Sequence, residues 1–256
     1  MDALMIRWVA ILCVSLCTSV VWAQNEPWSL DVRLLTSLSA GQPAVGEGFG
    51  WNGQPLQWTD APLFARWGQQ GTRSYGVSIR RQLGKVGQLA FGFEQTRRIW
   101  TLEADWMPAV ASAPMASVTM DWIVASYSIP ILYRTEVILA PGWRLGAGGG
   151  IVMEILPTNA FVAESDEQSG NVLTVEHGSL RYNWNRWGMG LELGVVKEGE
   201  DADLHIGGVL RPLIQPLFQG DLTARWNVGQ ADAALREAER VLDGSWWGLD
   251  IRLILH

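Results

Sequence analysis

One short segment of the chain carries residue types that could do hydrolytic chemistry. His177-Gly178-Ser179 puts an imidazole and a hydroxyl two positions apart. On a β-strand, positions two apart share a face. The pair is then within reach to act as general base and nucleophile. Glu192 is the nearest carboxylate on the strand that follows, 184–196, although the alternation of that strand turns it inward. The plain reading of the same fragment is a connection in which a histidine happens to sit beside a glycine and a serine.

Other chemistry finds little support. His177, His205 and His256 fall on different segments, and no pair has metal-ligand spacing. Glu164, Asp166 and Glu167 form an acidic cluster that could hold Ca²⁺ loosely but reads as a solvated loop tip. Gly148-Gly149-Gly150 is not followed by the Lys-Ser/Thr of a phosphate-binding loop. No metal and no cofactor are expected. The formal charge is −7, with no Lys/Arg-rich run, and an acidic chain repels phosphate backbones, so nucleic acid is not an expected partner.

Residues 1–23 read as a secretory signal peptide. Arg7 gives the positive start, Trp8 to Val21 the apolar core, and Val21-Trp22-Ala23 the cleavage site. Leu16 before Cys17 argues against a lipoprotein. Both cysteines, Cys13 and Cys17, leave with this segment, so the mature domain, 24–256, has no thiol for a disulfide, a zinc site or a nucleophile. Nothing in it approaches the ~18 apolar residues of a membrane-spanning helix.

The elements that must position these residues are strands. Eight segments alternate apolar and polar residues: 28–37, 73–83, 88–100, 118–137, 143–153, 184–196, 204–213 and 245–255. The clearest sets Trp187, Met189, Leu191, Leu193 and Val195 against Gly188, Gly190, Glu192 and Gly194. Pro130 cannot donate to a ladder, which predicts a bulge or bend in the fourth strand. The gaps between strands run roughly 36, 4, 17, 5, 30, 7 and 31 residues. Long and short gaps alternate strictly, and the strand number is even. An eight-stranded antiparallel up-and-down transmembrane β-barrel, with long extracellular loops and short periplasmic turns, requires that pattern. Thirteen tryptophans after cleavage suit interfacial girdles.

Eight strands enclose an interior only wide enough for side chains. Asp31, Arg33, Arg80, Glu94, Asp121, Arg144, Glu192, Arg211, Asp250 and Arg252 lie on the polar faces and mix both signs. Facing inward, they are expected to pair as a charge network, since unpaired they would be costly. Within the loops, Gln230 to Leu242 carries an apolar stripe at helical spacing, closed by Gly244, and predicts a helix over the barrel mouth or a docking surface for a partner. Trp51, Trp58 and Trp67 suggest a folded cap or a binding patch in the first loop.

Ser128-Ile129-Pro130-Ile131-Leu132-Tyr133, followed by Trp143-Arg144-Leu145-Gly146-Ala147-Gly148-Gly149-Gly150, resembles PorT-like outer-membrane β-barrel proteins of Bacteroidetes-type bacteria. Gly248-x-x-Ile251-x-Leu253 is similar to the C-terminal signal read by barrel-insertion machinery, although the chain ends in His256 rather than an aromatic residue. The resemblance implies the bacterial outer membrane, contact with its lipid, and a non-enzymatic structural, anchoring or assembly role, with protein-secretion or envelope-complex proteins as partners. His177-x-Ser179 is also similar to the pair used by eight-stranded lipid A deacylases, which implies a lipid-modifying enzyme as the alternative. Leu180 stands where that family usually has Asn. A small pore, and a soluble periplasmic β-sandwich or lipocalin-like binder, are further alternatives.

Overall fold

The computed structural model describes residues 28–37, 56–57, 63–83, 87–106, 116–168, 171–181, 183–228, 234–242 and 244–256. The predicted signal peptide, Trp51 and Trp58 lie outside these residues. The first strands are β1 (Trp28–Ser37), the two-residue β2 (Leu56–Gln57), β3 (Leu63–Leu83), β4 (Gly87–Trp106) and β5 (Ala116–Ala140). Then come β6 (Trp143–Ile155), β7 (Ala160–Gln168), β8 (Asn171–Leu180) and β9 (Asn185–Lys197). The last are β10 (Ala202–Arg211), β11 (Phe218–Val228), β12 (Ala234–Leu242) and β13 (Trp246–Leu255).

Eight of these strands close on themselves in the order β1-β3-β4-β5-β6-β9-β10-β13, every pair antiparallel, with β13 returning to β1. The predicted eight-stranded barrel is the observed fold. Closure removes the free edges that a membrane cannot solvate. The turns after β3, β5 and β9 are short, and Gly142 supports the second of them with a φ of 72°. The start of β1 at Trp28 and the end of β13 at Leu255 lie at the same, short-turn end.

The barrel is turned inside out relative to a soluble one. Val32, Leu34, Phe91, Ile131, Tyr133, Ile151, Met189, Leu193, Ile206 and Leu253 all face outward and are exposed. Asp31, Arg33, Arg80, Glu94, Arg134, Glu192, Asp250 and Arg252 face inward and are buried. A lipocalin-like binder needs an apolar interior, so this distribution argues against it.

Pro130 does not bulge the chain. The β4–β5 ladder breaks opposite Gly92 and Phe93, then resumes in the same register, and β5 stays in step with β6 from Tyr127 to Ile138. The missing donor falls on the side facing β4, where a skipped rung suffices. The irregularities that do occur lie at Gln69/Gly71 in β3 and Ile138/Ala140 in β5.

At the long-loop end β3, β4 and β5 run well past their neighbours, spanning 21, 20 and 25 residues. A second antiparallel sheet, β12-β11-β8-β7, packs over their inner face. Its Leu173, Val175, Leu222 and Trp226 meet Trp67, Trp100, Met120 and Trp122 in a continuous apolar core. The predicted helix is therefore corrected: its described part, Ala234–Leu242, is strand β12, paired along its whole length with β11. Cross-strand pairing of Ala234, Ala238 and Leu242 with the inward-facing Trp226, Leu222 and Phe218 overrides helical spacing. Trp67 belongs to this core and is not part of a surface patch.

Candidate functional site

Three places in the molecule could carry function, and the barrel lumen is the most heavily charged. Every barrel strand contributes at least one ionised side chain to it. Arg33 on β1 forks to Glu94 at 2.8 Å, Glu192 at 2.7 Å and Asp250 at 2.8 Å, so one guanidinium ties β1 to β4, β9 and β13. Glu192 in turn accepts from Arg134 at 3.0 Å and Arg252 at 2.8 Å, and lies 3.5 Å from Arg211. Asp31 joins Arg80 and Arg134, each at 2.7 Å, and Ser78 donates to it at 3.0 Å. At the short-turn end Arg144 pairs with Glu136, Asp203 and Glu198. Charges buried this deeply persist only because nearly every one faces an opposite charge in hydrogen-bond geometry.

Nine of the ten predicted network residues are brought together here. Asp121 is not. It faces outward on the extension of β5 and accepts from Thr101 across the strand pair. Its neighbour Trp122 points inward instead, because above the barrel the inner face of β5 lines an apolar core. Arg134, Glu136, Asp203 and the Arg98–Glu154 pair complete the network and were missed. Arg134 and Glu136 continue the inward alternation of β5, which the expected bend at Pro130 had obscured.

The network fills the lumen. Among the described residues, voids between its members include two of about 10 Å³ each, one beside Arg134 and His205 and the other beside Glu94 and Arg211. Each is about the size that holds one water molecule.

The second place is the predicted catalytic pair. His177 and Ser179 do share a face of β8, with Nε2 of the imidazole 2.9 Å from the serine Oγ. They lie inside the core of the head, formed by the four-stranded sheet and the extensions of β3, β4 and β5 beneath it, and are 2% and 0% exposed. The ring packs tilted against Trp122 at 4.6 Å and edge-on to Trp67 at 6.2 Å. Burial pushes the imidazole down to about 4, against a smaller opposing pull from the Asp221 backbone, so the ring is neutral at ordinary pH. Glu192 does not join the pair; it is held in the lumen by its four arginines. On the other side of the sheet, a depression of about 390 Å³ reaches His177 between Phe161, Glu176, Asp221 and Thr223, with the Phe161 ring lying across Gly178.

The predicted acidic loop tip is not a loop. Glu164, Asp166 and Glu167 sit on β7, where Asp166 accepts a 3.0 Å hydrogen bond from the Ser117 backbone. Among the described residues no group of three or more histidine, cysteine or acidic side chains is arranged to hold a metal.

The third place is the outer surface of the barrel. Its apolar band ends at the short-turn side in two aromatic–cation pairs, Arg81 over Trp28 at 5.3 Å and Lys197 over Trp143 at 4.9 Å.

No known protein-family profile matches the chain, and no curated protein matches it. Among solved structures the chain is similar to the beta domain of the Bordetella autotransporter Brka, at 7% identity over 90% of this chain and 99% of that one. The TM-score is 0.20, and at that value the likeness carries no argument. The chain itself is an all-β protein with the barrel architecture of outer-membrane proteins.

Proposed function

We propose that this protein is an integral β-barrel of the bacterial outer membrane with a non-enzymatic structural role, anchoring or assembling a protein-export or envelope complex. The observation that carries this reading is the combination of an apolar exterior with a lumen sealed by paired charges. Such a barrel holds a position in the membrane and passes nothing through it. The head continues from three of its strands without a hinge, which suits a fixed docking platform. On this reading its standing partners are the surrounding lipid and, during biogenesis, the insertion machinery, with Gly248, Ile251 and Leu253 of β13 as the recognition signal.

The test is purification of the tagged protein from membranes in mild detergent, followed by identification of whatever accompanies it. Envelope or secretion proteins in fixed ratio are the expected result. A lone, heat-modifiable monomer would keep the barrel and remove the anchoring role. Planar-bilayer conductance above background would overturn the sealed lumen.

One observation favours a second reading as a lipid-modifying hydrolase similar to the lipid A deacylases: the 2.9 Å approach of a neutral His177 to Ser179. A neutral imidazole can take the serine proton. No carboxylate orients the ring among the described residues, and the hydroxyl is shielded from solvent. Lipid A mass spectra from cells with the protein, without it, and with Ser179→Ala decide the matter. Unchanged acyl chains in all three would dismiss the enzyme.

A further inference from the structure

The outward rows of β3, β4 and β5 change character along the barrel. One row runs Ile79, Phe91, Ile131 across the three strands, and further up another runs Tyr75, Gln95, Tyr127. The next row sets Arg73 directly opposite Arg97. Both are exposed, and they point away from the lumen network. Like charges directly opposed on one face of a sheet destabilise it.

Neither arginine has an ion-pair or hydrogen-bond partner among the described residues. Every other arginine on the eight barrel strands has a charged, hydrogen-bonding or aromatic partner. Arg66 has Glu103, Arg81 has the Trp28 ring, Arg98 has Glu154 and Arg186 has the Pro216 carbonyl. The remainder belong to the lumen network. Two unpartnered guanidinia held face to face make a fork for one anion with several oxygens.

Their height narrows the choice of anion. From Leu83 to Arg73 the strand rises about 33 Å, and at barrel tilt that is about 25 Å along the axis, the height of an outer-membrane apolar band. Tyr75 and Tyr127 lie just below the pair, at the level of an aromatic girdle. Ile99 and Ile123 lie one row above and are also exposed, Ile123 by 63%. An anion that brings its own acyl chains suits those apolar neighbours better than a fully hydrated one.

We infer that Arg73 and Arg97 form a binding site for the phosphate of a phosphorylated lipid in the leaflet on the long-loop side. The inference rests on the membrane reading above and adds a ligand class to it. Diphosphorylated lipid A is the probe, offered in phosphatidylcholine nanodiscs and compared with its dephosphorylated form. Native mass spectrometry of the released protein counts retained lipid.

The natural chain is expected to retain the diphosphorylated form over the dephosphorylated one. Arg73→Gln and Arg97→Gln should each weaken retention about tenfold, the loss of one charge-assisted pair. Arg73→Lys/Arg97→Lys should restore part of it, and Arg66→Gln should change nothing. Equal retention by the double glutamine variant, heat-modifiable like the natural chain, would overturn the site. Displacement of the lipid by millimolar inorganic phosphate would assign it to a free anion instead. Alkaline carbonate extraction separates the two levels. Release of the natural chain would sink the membrane reading, whereas retained protein with unchanged lipid counts would sink this inference alone.

Discussion

Arg33 and Glu192 lie 159 residues apart in sequence and meet at 2.7 Å in the lumen, both shielded from solvent. Their contact ties the first strand of the barrel to the sixth in sequence across the interior. It is the centre of a network in which removing one charge strands several others.

Glu192→Ala leaves Arg33, Arg134, Arg211 and Arg252 without their shared acceptor. Breaking a buried pair by removing one partner costs roughly 3–5 kcal/mol. The expected outcome is a matching drop in the stability of the folded barrel, read as an earlier midpoint in urea by the shift between folded and unfolded bands on gels. Glu192→Gln, which keeps hydrogen-bonding capacity, should fall between Ala and the natural chain. A midpoint unchanged in Glu192→Ala would mean that the network contributes nothing.

His177 makes the head sensitive to acid. Its folded-state value of about 4 lies below the ordinary 6.5, so the unfolded chain binds the proton first as pH falls. The stability from keeping the ring neutral is complete above pH 6.5 and declines as pH drops toward 4. The decline amounts to at most about 3 kcal/mol. Trp67 and Trp122 touch the ring, so their fluorescence reports opening of the head. Replacing His177 with Asn should flatten the titration between these limits relative to the natural chain. Parallel curves for the two proteins would count against a buried neutral imidazole.

Gly248 sits at the β1–β13 seam, where a Cβ would come within 2.0 Å of the Thr36 carbonyl and 2.7 Å of the Ser37 Cα. Both obstacles are backbone and cannot step aside. Gly248→Ala should cost roughly 1–3 kcal/mol by overpacking and slow barrel closure. Pulse labelling that follows the heat-modifiable form checks this, and closure at the natural rate would refute it.

Trp122→Ala separates head from barrel. Trp122 stacks on Trp100 at 6.4 Å and on His177, with no role in the lumen. Truncating a buried tryptophan costs roughly 3–5 kcal/mol, here confined to the head core. Protease should then cut within residues 156–184 or 212–245 from the long-loop side, while the protein stays membrane-inserted and heat-modifiable. Loss of insertion as well would mean that the two regions fold as one unit.

The barrel was legible because its strands answer to two solvents at once. A residue on the wrong face of β9 would put a charge among apolar surroundings or leave a gap in the lumen network. The pattern from Trp187 to Val195 is accordingly strict, and strand limits agree with the structure to within a few residues except at the long-loop ends. Above the barrel that rule inverts. The inner face of β5 carries Arg134 and Ser128 in the lumen but Val124 and Trp122 in the head. A reading that equates apolar with outward therefore misplaces Asp121. In β12 the ambiguity is geometric: residues four and eight apart share a face on a helix and on a strand alike. Ala234, Ala238 and Leu242 satisfy both. Nothing local distinguishes the two, and the decision comes from β11. Within the candidate site, the His177–Ser179 approach was legible from spacing alone. The place of Glu192 was not, because four arginines on four other strands decide it.

The filled lumen also fixes an order of biogenesis. β7 and β8 leave the barrel between β6 and β9, and β11 and β12 leave it between β10 and β13. The seam joins the first strand to the last. With voids of about 10 Å³, a closed barrel can thread no polypeptide through itself. On the proposed membrane reading, both excursions must reach the far side while the sheet is still open. The final zipping of β13 onto β1 is therefore a one-way gate: whatever has crossed by then is displayed, and whatever has not is left behind.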